Sequence, residues 1–326
     1  MKRAALLYNP RSGQNQARRQ ADVERAASVL RSTGIEVFTE ATTGPRSAEQ
    51  QTRRLISEGF DTIVACGGDG TVHDVLQGLV GSPAALGVIP LGTANSLACD
   101  LGLSRDPAKV ATQLASAAVR SIAVGQIEFE NKARERESRY FTVAAGIGLD
   151  AFLFYRLNAA FKKRWGMAAY CGESLRVWAR GGYQPFVVDW FDTDRNKNRS
   201  EEVTQLLAVR ILDFGGVLRH LAPGADLLRD DIRLVLFKTS SRARYLRFVT
   251  GRMVGRDWQD RYIEMVHASQ VSCRPKDAGL GQRRQTVYAE ADGEWVGRLP
   301  VTIRMLPNAL NLLVPETASC LLRRRD

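Results

Sequence analysis

The chain has 326 residues, a formal net charge of +11, and 44% hydrophobic and 25% charged residues. This is the composition of a globular protein long enough for two cores, and it excludes a disordered or collagen-like chain. Five widely separated cysteines with no CxxC pair argue against a zinc site or a disulfide framework, and the positive balance favours polyanionic partners such as anionic lipid, nucleotide or nucleic acid.

Met1-Lys2-Arg3 leads into a short apolar run that stops at Asn9-Pro10, too short for a secretory leader. Ala4 to Tyr8 reads as a strand, Gln16 to Arg31 as a helix ending at Gly34, and Ile35 to Phe38 as a second strand. Ser47 to Glu58 is predicted helical with Ser47 as its N-cap, Thr62 to Cys66 a third strand, Val72 to Leu79 a helix and Ala85 to Ile89 a fourth strand. The uncharged stretch Val75 to Cys99 holds Pro83, Pro90 and four glycines, so it reads as helix end, turn, strand and loop, and no membrane span is expected. The alternation predicts an α/β domain with a parallel sheet and ligands at the strand C-terminal ends.

After about Gly125 the pattern changes. Strands are expected at Tyr140 to Ala144, Phe186 to Phe191, Val203 to Ile211, Ile232 to Phe237, Thr286 to Ala289 and Val301 to Met305, with one helical stretch from Phe152 to Arg180. Asp192 to Glu202 reads as a polar hairpin tip or loop, and Lys276 to Arg284 as a similar loop. The expected organisation is therefore an α/β domain over 1–125, a mainly antiparallel β domain over 126–305, and a segment 306–326 that can return to the first domain.

Three loops of small residues each follow an apolar strand: Asn9-Pro10-Arg11-Ser12-Gly13, Gly67-Gly68-Asp69-Gly70-Thr71 and Pro90-Leu91-Gly92-Thr93-Ala94-Asn95. Glycine lets backbone N–H groups approach phosphate oxygens, and a helix N-terminus behind each loop adds partial positive charge. None is a Walker A loop or a GxGxxG fingerprint. Ordinary strand-to-helix turns explain any one of them; three in succession point to a nucleotide phosphate site.

These loops, with Gly146-Ile147-Gly148-Leu149-Asp150-Ala151 and Asp292-Gly293-Glu294 in the second half, resemble in order the diacylglycerol kinase catalytic-domain family of bacterial soluble lipid kinases, related to sphingosine and ceramide kinases and more distantly to NAD kinases and phosphofructokinases. The resemblance implies an NAD kinase/phosphofructokinase-like first domain and ATP-dependent phosphorylation of a lipid hydroxyl, diacylglycerol first. Asn9, Pro10, Arg11, Ser12, Gly13, Thr42, Gly67, Gly68, Asp69, Gly70, Thr71, Thr93 and Asn95 would hold ATP. Asp69 would act near Mg2+, and Asp292 and Glu294 beside the acceptor hydroxyl, one of them as base. The Asp-Gly pair also suits a hairpin turn. The expected setting is cytoplasmic with transient membrane contact, a lipid partner, no nucleic acid, and homodimerisation left open. A kinase of a soluble acceptor and a non-catalytic binding protein are the competing readings. The chain departs from the family pattern at Arg46-Ser47, Ser96, Ala123 and Arg229. The last three stand where the family often has Asp, and Arg229 would repel a cation, so the structural metal of some members is not expected. His73 reads as a packing residue with contact to the nucleotide as its alternative; Ala151 to Tyr155 suits an acyl-chain pocket or the core, Phe161 to Trp165 an anionic membrane interface or an exposed helix end, and Arg323 to Arg325 anionic lipid or a disordered tail, none of them a site residue.

Overall fold

The computed structural model describes residues 1–10, 18–148, 183–215, 221–256, 260–276 and 286–318. Its first strands, β1 (Arg3–Tyr8), β2 (Glu36–Ala41), β3 (Thr62–Gly67) and β4 (Ala85–Pro90), pair in parallel in the order β2-β1-β3-β4. Between them lie α1 (Arg19–Ser32), α2 (Ser47–Ser57) and α3 (Asp69–Leu79); α4 (Ser96–Asp100) and α5 (Pro107–Ala115) follow β4. Residues alternate across the sheet. Leu6, Val64 and Ile89 meet Leu30 of α1 and Leu114 of α5, whereas Leu7, Ala65 and Val88 meet Leu55 of α2 and Leu76 of α3. Helices cover both faces, so β3 and β4 are buried throughout and read as continuous apolar runs.

The remaining strands are β5 (Ala118–Glu130), β6 (Arg136–Phe141), β7 (Ala144–Gly148), β8 (Phe186–Asp192), β9 (Lys197–Val203), β10 (Gln205–Val209), β11 (Ile232–Phe237), β12 (Ile263–Pro275), β13 (Tyr288–Ala291) and β14 (Glu294–Val314), with α6 (Arg242–Met253) between β11 and β12. Their pairings are antiparallel, except that the end of β14 joins β4 in parallel through Asn311 and Leu312. The sheet is therefore mixed and mainly antiparallel as a whole, and the expected parallel sheet is only its first part. Pairing of Gln270–Cys273 in β12 with β14 closes β14-β13-β7-β10-β11-β12 into a ring around Ile127, Phe141, Ile147, Leu206, Leu234 and Val271.

Several sequence expectations change. The helix expected from Val72 begins at Asp69, so the whole GGDGT motif sits at the strand-to-helix junction. Ser47 is not the N-cap of α2; Arg46, with φ 60°, holds that position, and Ser47 Oγ accepts the amides of Thr43 and Gly44 instead. Tyr140 to Ala144 is two strands broken at Thr142-Val143. Asp192 to Glu202 is a hairpin, as one of its two readings had it, but with its turn confined to 193–196; Asp192 ends β8 and 197–202 lie in edge strand β9, whose charged residues are typical protection for an open edge. Val203 ends β9 and β10 is the shorter Gln205–Val209. The long β5, β12 and β14, and α6, were not anticipated: Pro300 and Pro307 interrupt the β14 pattern, and register shifts accommodate them. The Phe152 to Arg180 helix, the segments Ala151 to Tyr155 and Phe161 to Trp165 within or beside it, Arg323 to Arg325 and most of the Lys276 to Arg284 loop lie outside the described residues. Among the described residues no helix is long and apolar enough to cross a membrane.

Candidate active site

The site begins where β1, β3 and β4 end side by side. Asn9 and Pro10 follow β1; Arg11, Ser12 and Gly13 lie outside the described residues. Thr42 is brought to this edge by its amide, which donates to Tyr8 O at 2.8 Å. The second and third loops are pressed together. A Cβ on Gly92 would lie 2.4 Å from Gly68 Cα, so only glycine fits there, and Leu91 N donates to Gly67 O at 2.8 Å. Asn95, at φ 54°, folds the third loop back on itself: its side-chain oxygen accepts Gly92 N (2.9 Å) and its amide nitrogen donates to Gly92 O (3.0 Å). The Thr71 side chain fills the space beside Gly67 Cα, and Thr93 is exposed at the loop tip.

Asp69 joins the two loops. Its Oδ1 accepts Ser96 N at 2.7 Å and its Oδ2 accepts Asn95 N at 2.9 Å. Burial pushes the Asp69 carboxyl above the usual carboxylate range, against the opposing pull of these amides, and the charge of Asp292 adds to the rise. Ser96, where the family often has Asp, thus serves through its backbone.

Asp292 and Gly293 form the two-residue turn between β13 and β14, with φ 50° and 80° and Ala291 paired to Glu294. The hairpin reading of this dipeptide holds. Asp292 turns inward. Its Oδ1 accepts Val143 N (2.9 Å) and Ala144 N (3.1 Å), its Oδ2 accepts Thr142 N (3.1 Å), and its own amide donates to Ala144 O (2.9 Å). The break between β6 and β7 exists to present those three amides. His73 Nδ1, on buried α3, lies 3.6 Å from Asp292 Oδ2, and Gln77 one turn later bonds both Tyr140 O and Tyr140 N. His73 therefore packs on its helix, against the Asp292-Gly293 turn.

Glu294, by contrast, is exposed, and its Oε1 lies 3.3 Å from where a Cβ on Gly70 would stand. A carboxylate from the β-rich half thus overhangs the GGDGT loop. The sequence pointed to both acids without separating them; the separation comes from which one the Thr142–Ala144 amides occupy.

Arg210 was not singled out from sequence. Its guanidinium is buried and donates to the carbonyls of Ala123, Leu227, Arg229 and Asp231 at 2.7–2.8 Å. Burial pulls its pKa down to about 10, although Asp231, Asp226, Asp230 and Asp100 hold it protonated at neutral pH. Arg229 forms a two-point ion pair with Asp231. Ala123 and Arg229, two of the positions at which the chain departs from the family pattern, therefore offer carbonyls to an internal cation, Arg210.

Glycine-cradled loops at a strand edge, faced by an acid from a β-rich half, define a nucleotide-dependent phosphotransferase site. The match is to the diacylglycerol kinase catalytic domain over residues 3–127 and to the YegS C-terminal NAD kinase beta sandwich-like domain over residues 143–314, and the chain belongs to the diacylglycerol kinase catalytic-domain family. It is 29% identical over 322 residues to a diacylglycerol kinase of Bacillus subtilis, covering 97% of both chains, and 27% identical over 324 residues to one of Mycobacterium tuberculosis, covering 96% of both. Its fold is similar to that of a diacylglycerol kinase from Bacillus anthracis (TM-score 0.69, 16% identity, 97% of this chain and 98% of that one) and to yeast NADH kinase complexed with NADH (TM-score 0.56, 11% identity, 99% and 86%).

Proposed function

We propose that this protein transfers the γ-phosphoryl group of ATP to the hydroxyl of a membrane lipid, with diacylglycerol as the leading acceptor. The observation that carries the proposal is the exposed Glu294 carboxylate held over Gly70. Phosphoryl transfer needs the phosphates cradled, the acceptor oxygen in line, and a group to take its proton. The backbone of Gly67 to Thr71 and Gly92 to Asn95 supplies the cradle. Glu294 accepts the proton as the lipid oxygen bonds to the γ-phosphorus and the bond to the bridging oxygen of ADP breaks. Asp292, with its oxygens committed to three amides, positions the turn that carries Glu294.

The donor set also suits magnesium. Asp69 spends one lone pair of each oxygen on an amide and keeps others, and an ion bound mainly by phosphates and water needs only one or two carboxylates. Among the described residues no group of three or more His, Cys, Asp or Glu could hold a metal by itself. Mg2+, when bound with ATP through Asp69, would neutralise phosphate charge.

Names of full-length relatives support a lipid acceptor, while the likeness to yeast NADH kinase keeps a soluble acceptor as the second reading. Incubation of the purified protein with γ-labelled ATP, magnesium, and either diacylglycerol micelles, sphingosine micelles or NAD distinguishes them. Label in the organic phase supports the proposal. Label only in NADP, or no transfer to any acceptor, overturns it.

A further inference from the structure

α6 is fixed to the β-rich half by one face. Tyr245 and Phe248 pack with Leu207, Val209, Val235 and Phe237; the Tyr245 ring stacks on Phe237 at 4.7 Å, and its hydroxyl lies 2.8 Å from Thr204 Oγ1. Arg244 is held by both oxygens of Asp260, at 2.7 and 2.8 Å, and lies over the Tyr262 ring. These contacts decide what points outward. Leu246 (52% exposed) and Val249 (37%) lie three residues apart on the open face, and Val254 (62%) follows the helix end. Among the described residues the other large exposed hydrophobics are Phe38, Val119 and Phe191, one each on β2, β5 and β8. Residues 240–256 also carry five arginines (Arg242, Arg244, Arg247, Arg252 and Arg256) and no acidic residue.

We propose that the outward face of α6, through Leu246, Val249, Val254, Arg242 and Arg247, docks the protein on an anionic lipid bilayer. Helical residues three apart share a face, so Leu246 and Val249 can enter the headgroup boundary together while the arginines meet lipid phosphates. A bilayer supplies apolar depth and dense negative charge at once, and this face offers the complement of both. The layer under α6 extends to Ala144, the register partner of Val209, whose amide holds Asp292. Docking surface and catalytic-turn support therefore share one layer. The inference deepens the lipid-kinase reading and rests on it for its purpose, though vesicle binding itself needs no turnover.

The test is co-sedimentation of the full chain with phosphatidylcholine vesicles with and without phosphatidylglycerol. Wild type is expected on the anionic vesicles and to be released as salt rises. Arg242→Glu with Arg247→Glu should lower partitioning roughly 20-fold or more, at about fivefold per basic residue lost near a charged surface. Leu246→Ser with Val249→Ser should weaken it on the same vesicles, and Phe191→Ser should not. Circular dichroism verifies folding, and phosphorylation of a short-chain, monomerically dissolved diacylglycerol should be unchanged in every variant. Binding equal to wild type in both double variants overturns the proposal. So does a loss of self-association on sedimentation equilibrium with vesicle binding intact, which would make the face a contact between copies. Lost vesicle binding in the variants, in a protein that phosphorylates no lipid, leaves docking standing and removes the kinase reading alone.

Discussion

Two acids one residue apart, Asp292 and Glu294, should fail in opposite ways. In Asp292→Asn the backbone is undisturbed, because Asn tolerates φ near 50° as well as Asp does. The side chain, however, keeps a single acceptor oxygen. If that oxygen faces Val143 and Ala144, the buried Thr142 N–H meets an NH2 group, and the other two bonds lose their charge assistance. An orphaned buried donor costs about 1–3 kcal/mol, so the whole change should cost about 3 kcal/mol. For a chain of 326 residues that lowers Tm by about 4 °C. Glu294→Gln sits in solvent and should alter stability by no more than about 0.5 kcal/mol. It removes the proposed proton acceptor, and kcat should fall about a hundred- to ten-thousandfold. Differential scanning calorimetry and steady-state phosphorylation of diacylglycerol measure the two. A Glu294→Gln enzyme at wild-type rate, beside an Asp292→Asn enzyme that melts normally but is inactive, would reverse the assignment and refute the reasoning.

Other expectations follow from the same contacts. Gly70→Ala places a methyl against Glu294 Oε1; stability should rise by about 0.5–1 kcal/mol from helix propensity while turnover drops, read by denaturant titration beside the kinase assay. Arg210→Met removes the donor shared by four carbonyls, those of Ala123 and Leu227 buried and those of Arg229 and Asp231 partly so, and should cost about 3 kcal/mol in urea unfolding, with Arg210→Lys intermediate because an ammonium offers three donors. Burial alone would push the Glu264 carboxyl up, but hydrogen bonds from Arg199 and Lys238 outweigh it and hold it at about 2, against an ordinary 4.5. The folded value is the lower one, so this stabilisation is complete above pH 4.5 and lost as pH falls towards 2. After allowance for solvent screening it is about 1–2 kcal/mol, and Glu264→Gln should flatten that limb of the acid-denaturation curve.

The order of motifs along the chain was enough to bring out the glycine-rich loops, because glycine after an apolar strand has a local cause: the turn must be tight and the backbone must lie bare. The first four strands were legible for a similar reason, since helices on both faces make them uniformly apolar. Local pattern carried no such information for β14. Its prolines break the alternation, and pairing with β5, β12, β13 and β4 keeps it extended. Nor could sequence separate Asp292 from Glu294, which are equivalent as residue types. Their roles diverge because amides at positions 142–144, some 150 residues earlier, converge on one carboxylate and leave the other facing Gly70. Arg210 is the same case, an ordinary arginine in an apolar run until distant carbonyls surround it. What the chain determined by itself was the set of loops and acids; burial and long-range hydrogen bonds, which arise only when remote segments meet, decided which of them hold the site together and which are left open to substrate.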